Sequence, residues 1–157
     1  MRGEPRSDVL KRIREEVERA RERLREIRWK IAVVSVKGGV GKSFIVANLA
    51  IALADRGRRV GVFDADVHGP SVPRALGLRG LTLVAGPDGL LPATGPLGVK
   101  VVSMALLLSD ERQAVIWRGP MKTAFIRQVL AMTAWGSLDY LLIDLPPGTG
   151  DEQLTIA

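Results

Sequence analysis

The sequence predicts an α/β fold in which a mostly parallel sheet is flanked by helices. Four short apolar runs have the length and character of strands that are buried on both faces of a sheet. Helical patterns occur between these runs, and strands that alternate with helices are typical of βαβ units. Glycine-rich and acidic clusters follow the runs, where open parallel sheets carry their chemistry.

Composition indicates a globular protein whose basic charge is unevenly placed. The 157 residues are 46% hydrophobic and 25% charged, with a net charge of +6. Residues 1–30 alone hold 11 Lys or Arg against 7 Asp or Glu. The charge therefore leaves nucleic acid or an acidic protein surface open as partners of this arm and implies neither for the rest.

Several classes of site and location are excluded by residue content. The chain has no cysteine and one histidine, so it cannot alone build a disulfide, a thiolate zinc site or an iron–sulfur site. No apolar run reaches the roughly 18 residues that cross a membrane. The N-terminus mixes Arg and Glu without an apolar export segment. We expect a cytoplasmic protein with no membrane partner.

Residues 1–30 are interpreted as an N-terminal amphipathic basic helix. Between Ser7 and Lys30 the apolar residues recur at alternating spacings of three and four, which places them in one stripe. The stripe consists of Leu10, Ile13, Val17, Ala20, Leu24 and Ile27. It is short for a free coiled coil. It therefore either docks on its own domain or binds a partner or nucleic acid.

The remaining elements follow in order along the chain. The four strands are expected at residues 31–34, 60–63, 99–104 and 140–143. Two further helices are expected at residues 42–54, ended by Gly57, and at 121–133, after Gly119 and Pro120. Residues 77–98 are rich in glycine and proline, which predicts a long surface connection with a small hairpin.

The stretch KGGVGKS, residues 37–43, has the pattern of a phosphate-binding loop between a strand and a helix. Its glycines let backbone N–H groups turn towards a phosphate, and the helix N-terminus adds partial positive charge. Lys42 would reach the β- and γ-phosphates, and the Ser43 hydroxyl would ligate Mg²⁺. The expected nucleotide-binding residues are Lys37, Gly38, Gly39, Val40, Gly41, Lys42, Ser43 and Phe44.

Three carboxylates follow two of the predicted strands. Asp64 and Asp66 end the second strand and Asp144 ends the fourth. A hydrolytic nucleotide site needs carboxylates to hold the metal and orient the attacking water. Each aspartate alone has a simpler explanation as a cap or turn residue. Together with the loop, they favour a site with Mg²⁺, in which the Gly148 N–H would sense the γ-phosphate.

Four motifs in one order carry a resemblance to a known family. They are KGGVGKS, DADVHGPSVPRALGL, WRGP and DLPPGTGD. Together they resemble the Mrp family of ATP-binding iron–sulfur cluster carriers, which are P-loop ATPases with a deviant loop. The resemblance covers residues 31–157 and implies a P-loop ATPase domain there.

The resemblance also implies roles for particular residues. It implies a homodimer in which Lys37 reaches the partner's phosphates, and catalytic roles for Lys37, Lys42 and Asp66. It implies Mg²⁺ near Ser43, Asp64 and Asp144, and ATP as the nucleotide. Iron–sulfur acceptor apoproteins would be partners, with cluster ligands supplied by another chain.

Two residues of the loop depart from the family pattern. Val36 replaces a glycine, and a β-branched residue resists positive φ, so we expect the chain to enter the loop in an extended form. Phe44 replaces a threonine whose hydroxyl touches a phosphate, a loss on the order of 1 kcal/mol. We expect both changes to leave nucleotide binding in place.

The third departure concerns length. Family members continue past the PPGTGD motif with further strands, a base-recognition segment and a Cys-x-x-Cys pair. The resemblance therefore implies a domain truncated after switch II. It also implies that the phosphate-loop strand is an unprotected edge. We expect either a truncated chain or one half of a split protein that a second polypeptide completes.

Three functions are weighed. The leading one is an ATP-binding and ATP-hydrolysing component of an iron–sulfur cluster carrier. The second is a partition- or septum-positioning ATPase that binds DNA or a protein through its basic helix, although HGPS, WRGP and PPGTGD favour the carriers and we do not expect nucleic acid. The third is a non-catalytic nucleotide-binding module.

Overall fold

The computed structural model of the chain describes residues 6–66, 71–107 and 119–148. The helices are α1 (Arg6–Arg25), α2 (Lys42–Asp55), α3 (Val72–Ala75), α4 (Met104–Leu107) and α5 (Gly119–Met132), with a 3₁₀ turn at Pro96–Gly98. The strands are β1 (Ile27–Val33), β2 (Val60–Asp64), β3 (Val84–Gly86), β4 (Gly89–Leu91), β5 (Ala93–Thr94), β6 (Lys100–Ser103) and β7 (Leu138–Asp144).

The main sheet confirms the predicted α/β class. Its strands lie in the order β1-β7-β2-β6-β5. The first four of these run parallel, and β5 pairs antiparallel with β6. The predicted hairpin in the glycine- and proline-rich connection is the β3–β4 pair. Because β1, β7 and β2 are parallel neighbours, their carboxyl ends meet at one end of the sheet.

Two hydrophobic layers cover the two faces of the sheet at β2, β6 and β7, whereas the predicted burial of residues 31–34 on both faces was wrong, because Ile31 and Val34 are exposed. On one face, Phe63, Trp135 and Leu141 pack with residues of α5. On the other face, Val62 and Leu142 pack with residues of α2 and α3. The helix α2 thus lies over the strand ends that carry the acidic residues, which places its N-terminus beside them.

The N-terminal prediction was wrong in its boundary. The helix ends at Arg25, and residues expected in it begin a strand at Ile27. The reason is pairing: β1 is in register with β7 from Ile27 opposite Leu138 to Val33 opposite Asp144. The buried Ile27 continues the helical spacing of Leu24 by chance, and its tertiary contacts override the local pattern.

The helix α1 docks on its own domain. It packs against α5, and Ala20 and Leu24 of its apolar stripe lie against the core. An Arg23 guanidinium nitrogen donates to the Asp88 carbonyl at 2.5 Å. Of the two interpretations of this helix, docking on its own domain is therefore the one that the structure shows.

The strand β1 is an edge, as the sequence predicts. Within the described residues its only strand neighbour is β7. Trp29 is 54% exposed on this strand, and Ile31 is exposed as well. The order of the strands therefore leaves one side of β1 without a backbone partner in the part of the chain that the structure describes.

Of the described helices, none is both long enough and apolar enough to cross a bilayer.

Gly61 is required by close packing on β2. A Cβ built there would approach the Leu138 Cδ1 at 2.6 Å, the Leu141 Cδ1 at 3.1 Å and the Trp135 Cζ3 at 3.2 Å. We predict that Gly61→Ala lowers the free energy of unfolding by about 1–3 kcal/mol through overpacking. Chemical denaturation measures this change.

Gly95→Ala is the matched control, because its nearest new contact would be the Val99 carbonyl oxygen at 3.4 Å and its φ is −91°. An equal loss of stability in both variants would contradict the packing argument.

Candidate nucleotide-binding site

The loop between β1 and α2 has the backbone of a phosphate cradle. Gly39 and Gly41 have φ of 72° and 86°, a region that favours glycine. No side chain caps the N-terminus of α2, and its first turn carries no acidic residue. The first backbone N–H groups of this helix are therefore left for another acceptor, and the helix dipole favours an anion.

Val36 is accommodated as expected. Leu97 is the one non-glycine residue with positive φ in the described chain, so the valine is not strained. Its side chain is 75% exposed beside the loop. A glycine is therefore not needed at this position for the loop to form.

Lys42 and Asp144 form a buried ion pair beneath the loop. The Lys42 ammonium donates to the Asp144 Oδ1, and both side chains are almost completely buried. The second oxygen of Asp144 is buried with no hydrogen-bond partner among the described residues. The Asp144 Oδ2 is thus available to a further cation or hydrogen-bond donor.

The sheet register places Asp64 next to this pair. Asp64 of β2 is opposite Asp144 of β7 and opposite Ser103 of β6. The Ser103 hydroxyl donates to the Asp64 Oδ2 at 3.1 Å, and the Asp66 N–H donates to the Asp64 Oδ1 at 3.1 Å. Sequence reasoning missed Ser103. The only indication in the sequence is its place at the end of a predicted strand.

Burial and the neighbouring Asp144 raise the pKa of Asp64 to about 7. The larger cause is loss of water around a completely buried carboxylate. The hydrogen bonds from Asp66 and Ser103 oppose the shift without cancelling it. The site is therefore short of positive charge when both carboxylates are ionised.

A cleft of about 530 Å³ opens above these residues. Its walls are Ser35, Lys37, Gly38, Gly39, Val40, Gly41, Lys42, Ser43, Phe44, Asp66, Ser71, Arg74, Ala75 and Pro147. All eight loop residues predicted from the sequence lie here, and so does Asp66. Asp64 and Asp144 do not line the cleft. Asp144 contacts the lining residue Lys42, and Asp64 accepts the N–H of the lining residue Asp66. Arg74 is not among the site residues predicted from the sequence.

The Gly148 N–H, predicted to sense the γ-phosphate, donates to the Ser35 carbonyl at 2.9 Å and so joins the segment after β7 to the loop. Its φ of 129° favours glycine. The motif residues at 67–70, 117–118 and 149–151 lie outside the described residues.

A glycine-rich loop from a parallel strand to a helix N-terminus, with a lysine and aspartates beneath it, defines a protein of the P-loop nucleotide-binding class. The sequence model of the ParA family described as NUBPL iron-transfer P-loop NTPase matches residues 26–157. The chain belongs to this family. The resemblance to P-loop cluster carriers, stated above from four motifs, is thereby confirmed.

Individual relatives agree with this assignment. The iron-sulfur cluster carrier protein of Saccharolobus solfataricus is 55% identical over 86% of this chain and 46% of its own length. The cytosolic Fe-S cluster assembly factor CFD1 of Eremothecium gossypii is 49% identical over 87% of this chain and 50% of its own length.

A solved structure shares the fold. The nucleotide-binding protein of Archaeoglobus fulgidus, in complex with ADP and with cobalt, has a TM-score of 0.76 and 46% identity. The match covers 88% of this chain and 53% of that one. The chain thus spans about half the length of the relatives it matches.

The raised pKa of Asp64 makes stability depend on pH. The folded protein holds the Asp64 proton up to about pH 7, whereas the unfolded chain releases it near 3.8. The cost of ionising this buried group therefore grows as pH rises from about 4 to 7 and is complete above 7. We predict that Asp64→Asn raises the melting temperature at pH 8, and that this gain shrinks at pH 5.

Asp55→Asn changes an exposed carboxylate at the C-terminal end of α2 and serves as the control. Its effect should be the same at both pH values. A gain from Asp64→Asn that does not vary between pH 5 and pH 8 would be inconsistent with a raised pKa.

Proposed function

We propose that this chain binds and hydrolyses ATP with Mg²⁺ as the nucleotide-dependent part of an iron–sulfur cluster carrier or assembly factor. The observation that carries the proposal is the cleft itself. It combines an uncapped helix N-terminus, a positive-φ glycine loop and Lys42 with Asp66 on the same wall. This combination offers donors to phosphate oxygens and a carboxylate to a water molecule.

The residues of the site fit Mg²⁺, which prefers oxygen ligands and retains several waters. Ser43 lies in the cleft wall, and Asp144 keeps one buried oxygen without a partner. Asp64 is adjacent across the sheet. Bound near these residues, Mg²⁺ would neutralise phosphate charge and relieve the repulsion between the two carboxylates.

Each polar group of the cleft has a distinct task in the proposed reaction. Lys42 would exchange part of its contact with Asp144 for the β- and γ-phosphates. Asp66 would orient the attacking water, because it is the one of the three carboxylates that lines the cleft. The N–H groups of the loop would hold the phosphates in line with that water.

The cluster-related part of the proposal rests on the relatives. Proteins that are named cluster carrier or assembly factor are identical to this chain at about half of the aligned positions. Because residues 1–157 contain no cysteine, the thiolates that hold a cluster would lie outside these residues. Apoproteins that accept the cluster would be partners of the whole carrier. The cytosolic designation of one relative supports a cytoplasmic location.

Lys37 is proposed to act across a homodimer. It is exposed in the cleft wall, where a second copy facing the cleft would bring its own lysine near the phosphates. The outer edge of β1 is a separate surface, and we propose a different partner for it.

That partner is proposed to be a polypeptide equivalent to the other half of the relatives. Trp29 and Ile31 are exposed on β1, whose outer edge has no strand neighbour among the described residues, and the relatives are about twice the length of this chain. A strand added there would satisfy the free backbone groups of β1 and cover both side chains.

Substitutions in the cleft test binding and turnover separately. We predict that Lys42→Met weakens ATP binding roughly a hundredfold or more, because a charged donor to phosphate is lost. Asp66→Ala should leave ATP affinity nearly unchanged and abolish turnover. Calorimetric titration measures the affinity, and phosphate release measures the turnover.

Removing Lys42 alone leaves Asp144 buried without its cation, which is itself destabilising. The double variant Lys42→Met with Asp144→Asn removes both charges and serves as the folded control. If this folded double variant bound ATP as the wild type does, the proposed phosphate site would be wrong. Equal loss of affinity and turnover in Asp66→Ala would remove the water-orienting role.

The strand-edge proposal is tested with the second half of the Saccharolobus solfataricus relative as the probe. We predict a stable complex with this chain on size-exclusion chromatography and a blue shift of Trp29 fluorescence. Trp29→Lys should weaken the complex at least about tenfold, since it places a charge on the buried edge.

Leu81→Lys is the control at another exposed apolar position. A complex that tolerates Trp29→Lys as well as Leu81→Lys would rule out docking on β1.

A further inference from the structure

We propose that Arg74 is an anion-binding residue that grips the polyphosphate of the nucleotide from a second wall of the cleft. This inference rests on the proposed nucleotide binding and extends it to a residue outside the loop. Arg74 belongs to α3, whereas every other cation in the cleft wall comes from the loop and its helix.

The backbone around Arg74 is fixed by packing. Val72 and Leu76 on either side are buried in the core that α2 and α3 share. The Ala75 N–H donates to the Ser71 carbonyl at 2.9 Å, and the Leu78 N–H donates to the Pro73 carbonyl at 2.8 Å. The long side chain therefore extends from a backbone that is already ordered by packing, so little backbone entropy is lost when it binds a ligand.

Arg74 determines the balance of charge among the residues that line the cleft. Lys42 is already engaged by the buried Asp144. Of the remaining charged wall residues, Lys37 and Asp66 have opposite signs and offset one another. Among the residues that line the cleft, Arg74 is therefore the cation that no lining carboxylate offsets, which makes the cleft more attractive to an anion.

The guanidinium of Arg74 is free to take up this role. The residue is exposed, and no described residue forms a hydrogen bond or ion pair with its side chain. A guanidinium presents a planar set of donors that can bind two phosphate oxygens at once. The chemistry points to the polyphosphate and not to the nucleobase, so ATP and inorganic tripolyphosphate should depend on Arg74 to the same extent.

The test is calorimetric titration of the full chain with ATP and, separately, with inorganic tripolyphosphate at two salt concentrations. Arg74→Ala should weaken both ligands by about tenfold or more, the usual size for a hydrogen bond to a charged group. Affinity should also become less sensitive to salt, because one fewer charge contacts the ligand. Arg74→Lys should recover part of the loss, since it keeps the charge and loses the planar donor set.

Arg79→Ala is the matched control, because this arginine is exposed five residues further on and is not part of the cleft wall. It should bind both ligands like the wild type. Equal weakening by Arg74→Ala and Arg79→Ala would overturn the proposal, because it would indicate a general electrostatic attraction by the basic surface and no specific contact of Arg74. Unchanged affinity in Arg74→Ala for both ligands would also overturn it.

The same titrations distinguish this proposal from the function on which it rests. If the folded wild type bound neither ATP nor tripolyphosphate, the nucleotide site and the role of Arg74 would both be refuted. If the wild type bound both and the folded double variant Lys42→Met with Asp144→Asn bound neither, while Arg74→Ala matched the wild type, only the role of Arg74 would be refuted.

Discussion

The buried contact between Lys42 and Asp144 is the interaction on which the site depends. It joins the first residue of α2 to the last residue of β7, which are 102 positions apart in the chain. An ion pair in the interior is stable only when good geometry repays the loss of water around both charges. Here the pair links the start of α2, and with it the end of the loop, to the carboxyl end of β7.

Asp64 lies beside this ion pair and is itself completely buried. One lysine neutralises Asp144, but Asp64 lies in the adjacent strand with its charge opposed by burial. The protein partly satisfies Asp64 with the Ser103 hydroxyl and the Asp66 N–H. Such an arrangement holds two carboxylates close together at a cost in stability, which is characteristic of sites that receive a cation. In the proposed function that cation is Mg²⁺.

Among the described residues, a formed cleft lies beside a sheet with an open edge. The loop, the ion pair and the wall formed by α3 all lie within a chain that spans about half the length of the relatives it matches. The strand β1, which leads into the loop, has β7 as its single strand neighbour in this part of the chain and carries the exposed Trp29 and Ile31. In the proposed function, nucleotide chemistry and partner assembly would therefore involve two separate surfaces: the loop that follows β1 and the outer edge of β1.

The local sequence was sufficient for the α/β class and for the loop, because both depend on short-range patterns. Apolar runs of strand length, glycines that accept positive φ and a Gly-Lys-Ser helix entry are visible without knowledge of distant contacts. The sequence also indicated Asp64, Asp66 and Asp144 through their places after apolar runs. It did not determine where α1 ends, since the spacing of Ile27 suits a helix and its pairing with Leu138 requires a strand.

Tertiary structure decided how these parts meet. The register across β7, β2 and β6 aligned Asp144, Asp64 and Ser103, and the packing of α3 on α2 brought Arg74 to the cleft. Side chains far apart in the chain carry no local pattern that marks them as neighbours. Their proximity follows from strand order and helix packing, which arise from burial of the whole core.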